Sequence, residues 1–346
     1  MFAQTYEEAR DAFRAEAGAA GARLEALDVI EVEGHGTLTI DTAIFGSEHS
    51  RALVVSSGLH GVEGFAGSAI QRELIARGLP EGFRVVLIHA LNPYGMACSR
   101  RVNENNVDLN RNFCAAAEEF SGASDGYRML EPFLNPTGPH TGFEVVELRA
   151  LWLILRHGMP TLKQAVAGGQ YDFPKGVFYG GDGLEPGPTA FLEALPAWLE
   201  GAEQIVHIDV HTGLGKSGTY ALLVDHPVGS EEHLACQRAF GPEVEPWKAG
   251  EGVAYQITGG LPGAIERLLG DRVQVLTQEF GTVSPIAVMK ALRAENRATH
   301  WGGDLSGARK ALRRTFYPED ERWKQDILRG GAKVIDQALR FLETTA

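Results

Sequence analysis

Two short apolar runs bracket a helix-forming stretch: Ala52-Leu53-Val54-Val55-Ser56-Ser57, then Gly67 to Arg77, then Arg84-Val85-Val86-Leu87-Ile88-His89-Ala90. Strands that read as continuous hydrophobic runs are buried on both faces, and a helix joining two of them makes them neighbours in a parallel sheet. Gly78 supplies the stop for that helix. A chain built this way must cover a sheet with helices, and in open sheets of this kind ligands collect outside the carboxyl ends of the strands.

The alternation continues along the sequence. Leu38-Thr39-Ile40-Asp41-Thr42-Ala43-Ile44 alternates like a half-buried strand, and Gln204 to Val210, Tyr220 to Val224 and Arg272 to Gln278 read as further strands. Tyr6 to Leu27, Thr189 to Leu199, Glu231 to Phe240, Pro285 to Arg297 and about Glu319 to Thr344 have helical composition or spacing. Phe143 to Ala167 does too, interrupted at Gly158 and Pro160. Cys114 to Thr141 reads as a long irregular loop or lid, and Gln170 to Pro188, rich in Gly and Pro, as a surface loop or a binding rim. No repeat or break in composition divides the 346 residues. The expectation is one α/β domain over 1–346, with its core at about 37–300, loop insertions over the site at 114–141 and 170–188, and a C-terminal helix at 319–344.

Charge and cysteines narrow the partners. A formal charge of −13 with no basic patch argues against nucleic acid and against an anionic membrane surface, since both need cations to neutralise phosphates. No run approaches the ~18 apolar residues of a membrane helix. Cys98, Cys114 and Cys236 are odd in number and far apart, which fits reduced, structural thiols and a cytoplasmic protein.

Leu59-His60-Gly61-Val62-Glu63-Gly64 falls on the loop after the first buried strand. Residues i and i+3 share a face at a helical turn, so His60 and Glu63 can point at one ion, although by itself such a pair is more often a helix start with a solvated Glu. His211 stands where the strand Gln204 to Val210 gives way to Thr-Gly, and it supplies a third ligand. Two imidazoles, one carboxylate and an open fourth position make a catalytic rather than a structural zinc pattern. Period two puts His207 and Asp209 on the face of His211, with His207 better suited to the core or to support than to ligation. Glu279 ends the strand at 272–278 and faces the same crevice, placed to take a proton from water and pass it to a leaving amine. Gly213 to Gly218 lacks the spacing of a P-loop.

Between these pieces lie Asn92-Pro93-Tyr94-Gly95 and the run from Arg101 through Asn103 to Val107-Asp108-Leu109-Asn110-Arg111-Asn112-Phe113. This run resembles the N-P-D-G and R-x-N-(x)3-V-D-L-N-R-N-F signatures of the zinc carboxypeptidases, the carboxypeptidase A-like metallopeptidases, with Tyr94 in place of the usual Asp. The resemblance runs from about Val54 to Thr282, and 114–204 contributes nothing to it. It implies a three-layer α/β/α sandwich around a mixed, mostly parallel sheet, and one zinc ion on His60, Glu63 and His211. It also implies Glu279 as general base then acid, Arg101 polarising the scissile carbonyl, Asn110 and Arg111 holding a substrate carboxylate, and Asp108 fixing the ring of His60. Tyr255-Gln256-Ile257-Thr258-Gly259-Gly260 is similar to a Tyr-Gln-x-Ser-Gly-Gly loop in digestive members, which implies that Tyr255 closes over the substrate.

The function implied is hydrolysis of an amide next to a free carboxylate, first of all in peptides. An N-acyl amino acid deacylase or amidase, as in the aspartoacylase and succinylglutamate desuccinylase branch, is the alternative with the same chemistry. A non-catalytic binding protein of the same fold is the alternative from another class.

Overall fold

The computed structural model describes residues 1–139, 145–246 and 257–344. Through them runs an eight-stranded sheet: β1 (Arg23–Val32), β2 (Gly36–Phe45), β3 (Arg51–Ser57), β4 (Arg84–His89), β5 (Gln204–Ser217), β6 (Tyr220–Val224), β7 (Val244–Pro246) and β8 (Val273–Gly281). The spatial order is β1-β2-β4-β3-β5-β8-β6-β7. The central strands β4, β3, β5 and β8 run parallel, while β1 and β2 on one side and β6 on the other attach antiparallel.

Alternation along the central strands sends side chains to opposite layers. Leu53, Val55, Val206 and Ile208 join a core with Phe13, Ile70, Ile327 and Val334, from the helices Tyr6–Ala19, Gly64–Arg77 and Glu321–Thr344. Ala52, Val54 and Ile205 join another with Phe191, Trp198 and Ile265, from the helices Pro186–Trp198 and Leu261–Leu269. The result is the three-layer α/β/α arrangement. A third apolar cluster, including Leu130, Phe133, Leu162, Val166, Val288 and Leu292, lies among the helices Asp125–Leu134, Met159–Ala167 and Pro285–Trp301. No helix among the described residues is long and apolar enough to cross a membrane.

The sequence reading fails in two informative places. Residues 23–27, read as the end of the first helix, belong to β1, because that helix stops at Ala19 and Gly21 takes φ +85, a conformation no helix can continue through. From there the chain pairs antiparallel with β2. Within 114–141, read as irregular, lies the helix Asp125–Leu134, with Ser124 Oγ accepting from the Tyr127 N–H at 3.0 Å. Gly126 and Pro132 inside this helix disguise it in composition. The break read at Gly158 is real: Val146–His157 and Met159–Ala167 are separate helices, Gly158 between them at φ +78 and Pro160 in the first turn of the second.

Candidate metal centre

The parallel register fixes where the site lies. Ser57 of β3 pairs with Val210 of β5, and His211 of β5 stands directly across from Glu279 of β8. His60 follows β3 by three residues and Glu63 closes the short turn Gly61–Glu63 that leads into the helix Gly64–Arg77. All four groups therefore meet at the carboxyl ends of neighbouring strands, and all four are buried.

His60 Nδ1 lies 2.9 Å from Glu63 Oε1, while His211 Nδ1 lies 3.2 Å from both His60 Nδ1 and Glu63 Oε2. Two nitrogens each ~2.0–2.1 Å from one ion at the tetrahedral angle would sit ~3.3 Å apart, so the observed spacing suits a shared metal. The opposite nitrogen of each ring is tied to a buried carboxylate: His60 Nε2 lies 3.0 Å from Asp108 Oδ1, and His211 Nε2 lies 2.6 Å from Asp209 Oδ2. At His211 an Nε2–H held on the carboxylate leaves the Nδ1 lone pair for a metal, whereas His60 Nε2 faces both Asp108 and, at 2.8 Å, Arg101 Nη2; the donor set of two imidazoles and one carboxylate fits zinc. The Thr212 N–H donates to Glu63 Oε2 at 3.0 Å and fixes that carboxylate.

Burial pushes the Glu63 carboxyl up, yet the imidazoles of His60 and His211 outweigh it and hold the group well below the usual range. Asp108 is likewise held low against its burial by Arg101, Arg111 and His60. Burial lowers His211, but Asp209 and Glu63 carry it well above an ordinary histidine. Glu279 goes the other way: burial, then the charge of Glu63, raises it to about 7. Its Oε1 accepts from the Leu214 N–H at 2.9 Å.

The Arg101–Phe113 run is pinned against the His60 turn by backbone. The N–H groups of Gly61 and Val62 donate to the carbonyls of Arg101 and Arg100 at 3.1 and 2.8 Å. A β-carbon on Gly61 would stand 2.1 Å from the Gly95 carbonyl carbon, so only glycine permits that approach. Asn92 Oδ1 accepts from the Gly95 N–H at 2.8 Å, capping the short helix Pro93–Ala97. Arg101 Nη1 donates to Glu63 Oε1 at 3.0 Å and its Nε to Asp108 Oδ2 at 3.1 Å. Arg100, directed away, donates to Glu295 Oε1 at 2.7 Å and to Asn106 Oδ1 at 2.9 Å.

Arg101, Asn110 and Glu279 line one cavity with His60 and His211. Asn110 Oδ1 accepts from the Leu261 N–H at 3.1 Å. The Arg111 side chain is fully buried, its Nη1 donating to the Asn110 carbonyl at 2.8 Å and its Cζ lying 5.8 Å from the Phe178 ring. Tyr255 lies outside the described residues; the far end of its loop docks on this run, with the Phe113 N–H donating to the Gly259 carbonyl at 2.9 Å.

Three contributions are not assigned in the sequence reading. Asp209 holds His211, and period two along β5 is the signal that marks it. The 170–188 segment, read as a surface loop or a rim over the site, packs directly on it in a way the sequence does not specify: the Asp108 N–H donates to the Tyr179 carbonyl at 2.7 Å, and Phe178 at φ +58 lines the cavity with its ring 5.3 Å from Arg101 Cζ. Lys163 joins the cavity lining from the helix Met159–Ala167, where no motif marks it. His207 is a supporting residue, its Nε2 2.8 Å from Ser56 Oγ, which in turn donates to Asp209 Oδ1 at 2.6 Å.

Against known proteins, the family described as "Protein of unknown function (DUF2817)" matches residues 2–330. No curated protein matches. Among solved structures the chain is similar to the murein-tripeptide amidase MpaA of Escherichia coli O157, at 19% identity and TM-score 0.41, covering 89% of this chain and 97% of that one. It is similar to a metallo-carboxypeptidase from Burkholderia cenocepacia at 14% identity and TM-score 0.45, covering 95% and 69%. It is also similar to bovine thrombin-activatable fibrinolysis inhibitor at 13% identity and TM-score 0.47, covering 94% and 98%. Likeness of this degree carries no chemistry, which resides in the site residues.

Proposed function

The chain belongs to the family described as "Protein of unknown function (DUF2817)", and we propose that it is a zinc-dependent hydrolase of the carboxypeptidase type, cleaving an amide next to a free carboxylate. One observation carries this reading. His60, Glu63 and His211 turn their ligand atoms to one point, within 4.8 Å of one another, beside a buried Glu279 that opens on the same cavity.

A divalent ion there supplies Lewis acidity to water and to the scissile carbonyl. Glu279, raised to about 7, can hold and release a proton near neutrality, first taking it from water and then giving it to the leaving amine. Arg101 is the guanidinium that lines the cavity beside the ligands, placed to stabilise an oxyanion. Asn110, which lines the cavity, is assigned to the substrate carboxylate together with Arg111, whose planar guanidinium suits that task but which is fully buried in this structure. Unpaired Cys98, Cys114 and Cys236 favour a reducing, cytoplasmic setting.

Peptides are the first substrates to examine. N-acyl amino acids form the second class, favoured by the apolar character of the cavity beyond the ligands. The test is mass spectrometry of peptide and acyl amino acid mixtures incubated with zinc-loaded protein, with Glu279→Gln as the blank. Release of a free amino acid by the native protein but not by the variant supports the reading. Equal turnover by both would sink it.

A further inference from the structure

The cavity that contains the ligands does not end there. It is an open cavity of about 380 Å³ whose lining is mostly apolar; its polar lining includes Arg101, Asn110, Lys163 and Lys290 as well as His60, His211 and Glu279. Most of the helical wall is hydrocarbon, from Leu130, Phe133, Leu153, Ile154, Leu162 and Val166 on the helices Asp125–Leu134, Val146–His157 and Met159–Ala167, the last of which also brings Lys163 to the lining.

Two physical arguments bear on what fills this chamber. Every peptide unit carries an N–H and a carbonyl, and each buried without a partner costs ~1–3 kcal/mol, so a peptide extended along these walls is disfavoured. A void of roughly 150 Å³ already holds a benzene ring, so one aromatic side chain would leave more than half of this chamber empty. A long saturated chain meets neither objection. The helix Val146–His157 adds a separate observation: Ala150, Leu153 and Ile154 face the chamber, while Leu148, Trp152 and Leu155 on its other side are 64%, 54% and 79% exposed. A helix apolar on both faces offers hydrocarbon to an amphiphile on approach as well as inside.

We propose that the chamber takes the acyl tail of an N-acyl amino acid, with the amide at the ligand end and the tail between these helices. The assignment rests on the hydrolase reading given above and names its substrate class. Water adds to the acyl carbon and the amide C–N bond breaks; the water oxygen stays in the released fatty carboxylate, and the amine departs with the proton relayed by Glu279. No further reactant is required.

The test is a series of N-acetyl-, N-hexanoyl- and N-decanoyl-alanine, read in two ways. Calorimetric binding is measured on zinc-loaded Glu279→Gln, and kcat/KM on the zinc-loaded native protein. Each added methylene should raise both about three- to fourfold until the chamber is full, and the affinity gain should carry a negative heat-capacity change. Ala150→Trp, which fills the chamber, should move the optimum to shorter chains, and Leu153→Asn should flatten the series. Binding that ignores chain length overturns the assignment, and so does faster turnover of an Ala-Phe dipeptide than of decanoyl-alanine. Those outcomes leave the hydrolase reading standing. Chain-length-dependent binding without hydrolysis of any amide overturns the hydrolase reading, and the substrate assignment falls with it.

Discussion

Four histidines sit in or at the ends of the central strands, all nearly inaccessible, and they fall into two pairs. His60 and His211 each rest Nε2 on a carboxylate, Asp108 or Asp209, and turn Nδ1 toward each other. His89 and His207 instead meet a hydroxyl, Ser68 Oγ at 3.1 Å and Ser56 Oγ at 2.8 Å. Burial pushes His89 and His207 down to about 4, so they stay neutral, whereas Asp209 drives His211 well up despite the same burial. Burial therefore does not separate the candidate ligands from the core imidazoles. The partner of the second nitrogen does, together with an unclaimed first nitrogen facing other donors.

Breaking the first pair should give the largest effects. His211→Ala or His60→Ala should lose the ion under conditions where the native protein binds it stoichiometrically, read by elemental analysis after gel filtration. Their activity loss should exceed the ~100-fold that supporting groups carry. Full metal content in either variant would refute the ligand assignment. Glu279→Gln should keep the ion while turnover falls ~10²–10⁴-fold, the usual weight of a general acid–base. Metal loss there would mean that Glu279 is a fourth ligand.

The supporting carboxylates sharpen the contrast. Asp108→Asn and Asp209→Asn should each weaken zinc affinity about 10–100-fold, measured by competition with a chelating dye, with the fold intact by circular dichroism. His207→Gln, one step further along the chain His211, Asp209, Ser56, should cost less than Asp209→Asn. If His207→Gln costs more, the two pairs are not distinct.

How much of this the sequence carries depends on the range of the interaction that fixes each part. His60, Glu63, His211 and Glu279 are legible because each sits beside a strand end, and short apolar runs mark strand ends locally. Asp209 is half legible: period two puts it on the right face, but its bond to His211 Nε2 is a rotamer fact. The hold of Tyr179 and Phe178 on Asp108 and Arg101 is invisible, since it joins residues about 70 apart through a glycine-rich segment with no period. The helix Asp125–Leu134 is hidden by its own Gly and Pro, its stability coming from tertiary packing of Tyr127, Leu130 and Phe133 rather than from propensity. β1 is misread because Ala and Glu content outweighs, in a local window, the pairing that β2 supplies from outside it.

The smallest effect tests the second pair, and it concerns stability rather than activity. A histidine near 6.5 in the unfolded chain and at about 4 when buried takes up its proton first in the unfolded state. Its contribution is therefore complete above pH 6.5 and is lost as pH falls toward 4. At pH 5 the difference amounts to about 2 kcal/mol for His89. His89→Asn should accordingly flatten the fall in unfolding free energy between pH 7 and pH 5 by about that amount, measured by urea titration at each pH, whatever its own cost at pH 7. It should leave zinc content and the chain of His211, Asp209 and Ser56 unchanged, because His89 is stacked on Phe13 at 4.9 Å and is tied to Ser68 instead. An unchanged pH slope would mean that burial alone does not hold this imidazole neutral. A loss of zinc would mean that the two pairs share a network, and that the boundary drawn between ligand and core histidines lies elsewhere.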